Sequence, residues 1–127
     1  MSKSKRVLAA GAILALAVVL YAQNPKTEEI TGYIIDNSCA GAHSKEPTFG
    51  DRVKKHSTSC ALMPNCVGSG YAVFTADKKL YKLDKAGNAK AEALLRGTET
   101  KAGVAVVIEG TIAGDTIKVT KISEKTE

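Results

Sequence analysis

Gly103–Ile122 reads GVAVVIEGTIAGDTIKVTKI. Its first half, Gly103–Ile112, is dense in β-branched residues and predicts a strand. Ala113-Gly114-Asp115 predicts a tight turn. Thr116–Ile122 sets Ile117 and Val119 in alternation against polar residues, with a slip of phase before Ile122. Two such runs joined by a Gly-Asp turn predict a hairpin. That hairpin sets the class, because the rest of the chain repeats its pattern.

Glu29–Asp36 (EITGYIID) predicts another strand, with Gly32 as a bulge or a point of close backbone approach. Gly70–Ala76 (GYAVFTA) and Lys79–Leu83 (KLYKL) are strands separated by Asp77-Lys78, so they form a second hairpin. Asp84–Asn88 (DKAGN) reads as a turn. Ala89–Arg96 (AKAEALLR) consists of good helix formers ended by Gly97, with Ala91, Leu94 and Leu95 on one face. The order is strand, long insertion, strand, strand, helix, strand, strand. This is the element order of an OB-fold. The expected class is mainly β: a small five-stranded OB-like barrel or strongly curved sheet, with one helix between strands 3 and 4. A split sheet with one packed helix has the same order.

The N-terminus stands apart. Lys3, Lys5 and Arg6 precede a 14-residue apolar run, Val7–Leu20, broken only by Gly11. Tyr21-Ala22 offers a cleavage point before Gln23. Residues 1–22 therefore read as a signal peptide, and the protein as exported, periplasmic or secreted. The run is short against the roughly 20 residues of a membrane span; an uncleaved signal anchor is the alternative. Residues 23–127 form one domain with one modest core. Loss of Lys3, Lys5 and Arg6 leaves 15 basic residues against 13 acidic ones. With no Trp and no basic block longer than two residues, nothing marks a nucleic-acid partner. A monomer is expected, with a dimer through an odd cysteine as the alternative.

Asn37–Ser69 is the insertion, and 33 residues are too many for a structureless loop in a compact domain. Pro47–Met63 predicts a helix, capped by Thr48 or Asp51 and stopped by Pro64. Phe49, Val53, His56, Cys60 and Met63 would form one stripe along it. His56 and Cys60 would then share a face. Cys39 and His43 repeat that spacing in reverse, and Cys66 lies beyond Pro64. All three cysteines and both histidines of the chain fall between Cys39 and Cys66.

Three thiolates and an imidazole match a closed zinc site, and copper(I) also favours thiolates. The candidate ligands of one zinc or copper ion are Cys39, His56, Cys60, Cys66 and His43. Two other readings stay open. Export favours a disulfide, and joining Cys39 to Cys60 or Cys66 would add about 3 kcal/mol. The protein would then be a stapled interaction module for a protein, peptide or glycan. Alternatively, a histidine lowering a thiol's pKa would make a thiol–disulfide redox protein. Asp36 and Asp51 read as ordinary strand-end and helix-start residues. Paired carboxylates, a Gly-rich phosphate loop, a nucleophile elbow and a C-x-x-C-H haem sequence are all lacking, so nothing positive marks an enzyme.

The runs GYIIDNSCAGAH, HSTSCALMPNCVGSGYAVF, KLYKL and VVIEGTIAGDTIKVTKI together resemble a family of small exported bacterial proteins of uncharacterised function. The resemblance covers nearly all of residues 23–127. Its most specific parts are Cys39, His56, Cys60-Ala61 and Cys66. It implies a small, β-rich, OB-like exported domain and carries no activity with it. It favours treating the three cysteines and His56 as one constellation. The five residues between Cys60 and Cys66 exceed the Cys-Ala-x-x-Cys form of many relatives.

Overall fold

A computed structural model describes residues 26–126. The expected signal peptide lies outside the described residues. The elements are β1 (Glu28–Asp36), α1 (Asn37–His43), α2 (Phe49–Lys55), α3 (Thr58–Ala61), α4 (Pro64–Ser69), β2 (Tyr71–Thr75), β3 (Leu80–Leu83), α5 (Lys85–Gly97), β4 (Ala105–Ala113) and β5 (Thr116–Glu124). The five strands hydrogen-bond in the order β1-β2-β3-β5-β4, and β4 returns to β1. All pairs are antiparallel except β3 with β5.

Both expected hairpins form. The phase slip in the last strand has a physical cause. Glu109 pairs with Lys121 while Gly110 pairs with Val119, so Thr120 is an extra residue in β5. A bulge of this kind reverses the alternation, which lets Ile117, Val119 and Ile122 all turn to the core side. The Thr120 hydroxyl donates to the Glu109 carbonyl across the bulge at 2.9 Å. Gly32 sits where a Cβ would collide with the Phe74 carbonyl, so it is a point of close approach.

The fold differs from the expectation in its helices. Helix and strand contents are nearly equal, so the class is mixed α/β and not mainly β. The helix between β3 and β4 starts before Ala89. Asp84 caps it, its Oδ1 accepting from the Gly87 amide at 2.9 Å. Asp84–Asn88 thus supplies a cap and a first helical turn, a role for which Asp is as well suited as for a turn. The insertion is not built on one long helix either. The chain turns extended at His56, with ψ 122°. Ser57 then caps a new helix, its hydroxyl accepting from the Cys60 amide at 3.1 Å. The Ser-Thr-Ser run competes with helix continuation, as short hydroxyl residues do. Thr58 bonds instead to the Lys101 and Thr100 carbonyls of the loop before β4. Pro64 starts α4 from its first turn, where its missing N–H costs nothing.

The apolar side chains pack into two cores. Ile30, Ile34, Tyr71, Val73, Leu83, Val106, Ile108, Ile117 and Val119 pack with Ala91 and Leu95 of α5. On the opposite face of β1 and β2, Ile35 and Ala72 pack with Ala40, Phe49 and Val53 of the insertion. The adjacent pair Ile34-Ile35 serves one core each. Burying a side chain of this size gives about 1.5–3 kcal/mol, so Ile35, Phe49 and Val53 anchor the insertion to the sheet. Phe49 also meets Phe74 edge to face, with ring centroids 5.0 Å apart.

Tyr71 ties the first core to the insertion. Its hydroxyl, buried, donates to the Ala61 carbonyl at 2.8 Å. Burial and the negative charges of Glu92 and Asp36 push that phenol up to about 12. Tyr71→Phe is expected to lower stability by about 1–2 kcal/mol in urea unfolding, because the Ala61 carbonyl loses its buried side-chain donor. An unchanged midpoint would show that α3 is held by its loop contacts alone.

Candidate functional site

β1 ends in Asp36, which is fully buried. Asp36 is the N-cap of α1, its Oδ2 accepting from the Cys39 amide at 2.8 Å. Its Oδ1 lies 2.8 Å from Nε2 of His56, whose side chain is only 8% exposed. The carboxylate therefore joins the end of β1, the first turn of α1 and the end of α2. His56 is fixed from the other side as well, because its carbonyl accepts from the Gly103 amide at 3.0 Å.

Two sets of side chains converge here. The ligand atoms of Cys39, Cys60 and Cys66 all lie within 4.8 Å of one another. Those of Asp36, Cys39 and His56 do so too. Cys39 is common to both, so the two sets adjoin through it and make one cluster, in which His56 is not within that distance of all three sulfurs. Cys66 is buried, whereas Cys39 and Cys60 are half-buried. All three are free thiols. The convergence is tertiary. Cys39 comes from α1, Cys60 from α3 and Cys66 from α4, with Asp36 and His56 at element ends. His56 and Cys60 do not share a helical face, contrary to the expectation from their spacing, because the helix breaks between them.

Of the five expected ligands, four are in the cluster. His43 is not; its Nδ1 meets Glu46 Oε1 at 2.7 Å, and Glu46 also accepts from Arg52 at 3.1 Å. That set is an ordinary half-exposed surface network. Asp36 is the member that sequence reasoning misses. One signal for it exists: an Asp directly after Ile34-Ile35, at a strand end buried on both faces, sits where a carboxylate must find partners.

The electrostatics are a consequence of this packing. Burial pushes the Asp36 carboxyl upward, but the Cys39 amide and the His56 ring outweigh it and hold the group below the usual carboxylate range. Burial, then the Asp36 charge, then the neighbouring thiols push Cys39 up to about 12. Burial and Asp36 also raise Cys66. An activated nucleophile needs the opposite shift. The cluster instead gathers soft donors around a buried negative charge, and a cation is the species that lets those thiols ionise.

The sulfur spacing suits such an ion. Thiolates at about 2.3 Å from a tetrahedral zinc stand about 3.8 Å apart, within the separation seen here. No family model, curated protein or solved structure matches the chain.

Proposed function

We propose that this is an exported small binding protein whose insertion ligates one thiophilic ion, zinc or copper(I). Cys39, Cys60 and Cys66 are the thiolate donors and His56 the fourth. Asp36 bonds to Nε2 of His56 and fixes the ring, as carboxylates do for metal-bound histidines. The observation that carries this reading is the convergence of three sulfurs on one another beside a buried Asp–His pair. The frame we assign is an OB-like barrel, on the strand order with its closing β1–β4 pair and α5 between β3 and β4. When bound, the ion would tie α1, α3 and α4 together and contribute folding energy.

The test is elemental analysis with a thiol count, on mature protein exported to an oxidising compartment and purified without chelator. About one zinc or copper per chain is expected, with three thiols that alkylate only after the metal is stripped. Cys60→Ser is expected to reduce occupancy to background, because two thiolates and an imidazole hold such an ion far more weakly than the full set. Metal-free protein with one disulfide and one free thiol would overturn the reading.

That outcome would favour a second reading, a stapled interaction module. A groove of about 1040 Å³ on the outer side of the sheet supports it, with Tyr33, Phe49 and Phe74 among its lining and Lys54 and Glu124 beside them.

A further inference from the structure

The cluster is not equally open on all sides. Asp36, His56 and Cys66 are its buried part. Cys39 and Cys60 are its half-buried part. Of the three thiols, Cys39 and Cys60 are the more exposed.

One soft donor lies three residues from both Cys60 and Cys66 in the chain. Met63 is 55% exposed and is the one large apolar side chain so exposed among the described residues. Its position is tied to both neighbouring cysteines. The Met63 amide donates to the Cys60 carbonyl at 3.1 Å, and the Met63 carbonyl accepts from the Cys66 amide at 2.9 Å. It also caps α4, so its backbone is fixed and its side chain is left to solvent. The expected helical stripe would have buried Met63; the break at His56 releases it. An exposed Met gains nothing from burial, and Leu62 beside it packs against the core instead.

We propose that Met63 is the first ligand for an incoming copper(I) ion and that it makes copper(I), not zinc, the ion this site takes up fastest. The inference rests on the thiol site proposed above. Thioether sulfur binds copper(I) well and contributes little to zinc, which prefers thiolate, imidazole and carboxylate. Loading is a ligand exchange with no change of oxidation state. Copper(I) leaves its donor chelator and binds the Met63 thioether. Cys60 and Cys39, then Cys66, replace it, and each thiol gives its proton to water as its bond to copper forms. Met63 is then free again, so it speeds loading without adding to the final ligand set.

The experiment follows copper(I) transfer from a coloured copper(I) chelator to reduced mature protein, without oxygen, by stopped flow. Met63→Leu keeps the size and the exposure, so folding is unaffected. The variant is expected to load copper(I) on the order of tenfold more slowly, equivalent to about 1.4 kcal/mol in the barrier. Its final copper(I) occupancy and its rate of zinc uptake are expected to match the wild type. Equal copper(I) rates in the two proteins would overturn this inference and leave the thiol site standing. A wild type that takes up zinc but no copper(I) would overturn it too. Uptake of neither ion would overturn both it and the reading it rests on.

Discussion

Asp36→Ala is expected to lower the stability of the reduced, metal-free protein by about 2–4 kcal/mol, the cost of leaving two shielded hydrogen-bonding groups without their carboxylate partner. The change leaves the Cys39 amide without the acceptor at 2.8 Å and the His56 ring without its partner at 2.8 Å. Both sites are shielded, so water does not fully replace these partners. A domain of this length holds about 5–15 kcal/mol in total, so the variant should sit close to its unfolding limit at ambient temperature. Urea unfolding in the presence of a chelator and a reductant measures it. A loss below about 1 kcal/mol would mean that the pair is a surface-like contact.

Asp36→Asn separates geometry from charge. An Asn can turn its oxygen to the Cys39 amide and its NH2 to the His56 ring, so it should cost less than Ala. The pH dependence has a definite sign. The folded carboxyl is held below the usual range. Its contribution is therefore complete above about pH 4, the unfolded value, and is lost as the pH falls through the lower folded value. The gap between wild type and Asp36→Asn should narrow on acidification. A gap that widened would place the stabilising charge elsewhere.

Gly103→Ala carries the second large effect. Gly103 has φ +64°, a left-handed conformation, and a Cβ there would run into the Lys54 carbonyl. The obstacle is backbone, so it cannot swing aside as a side chain would. The expected loss is about 2–3 kcal/mol from strain and displacement together. It should be visible beyond stability. The Gly103 amide donates to the His56 carbonyl, so pushing the loop away loosens the residue that faces Asp36. Metal affinity should therefore fall in Gly103→Ala although no donor is altered. Gly114→Ala is the control: it shares φ +64° but a Cβ there meets nothing, so only the conformational cost of about 1–2 kcal/mol applies. Equal losses in the two variants would show that the Lys54 backbone moves aside freely.

The strands are legible because each is specified locally. Alternation along Thr116–Ile122 and the Gly-Asp turn before it require no knowledge of distant residues. Even the slip at Thr120 is visible as a phase error. The insertion is legible only in its residue types. Phe49 and Val53 share a helical face, as their spacing indicates, but His56 does not extend that face to Cys60. The helix stops because Thr58 finds the Lys101 and Thr100 carbonyls, more than forty residues away in the sequence. Asp84 shows the same limit on a smaller scale. A turn and a helix cap use the same residues, and the packing of the next few residues decides between the two.

By itself the sequence determined the set of strands, the two hairpins, the helix before Gly97 and the confinement of every cysteine and histidine to one segment. Local propensity and periodicity, which act over a few residues, are enough for all of these. Only the tertiary structure decided that Asp36 belongs to the cluster, that His43 does not, and that Met63 is exposed. Those outcomes depend on which backbone groups far apart in the chain meet, and on where burial forces a polar side chain to find a partner. A local pattern carries no record of either.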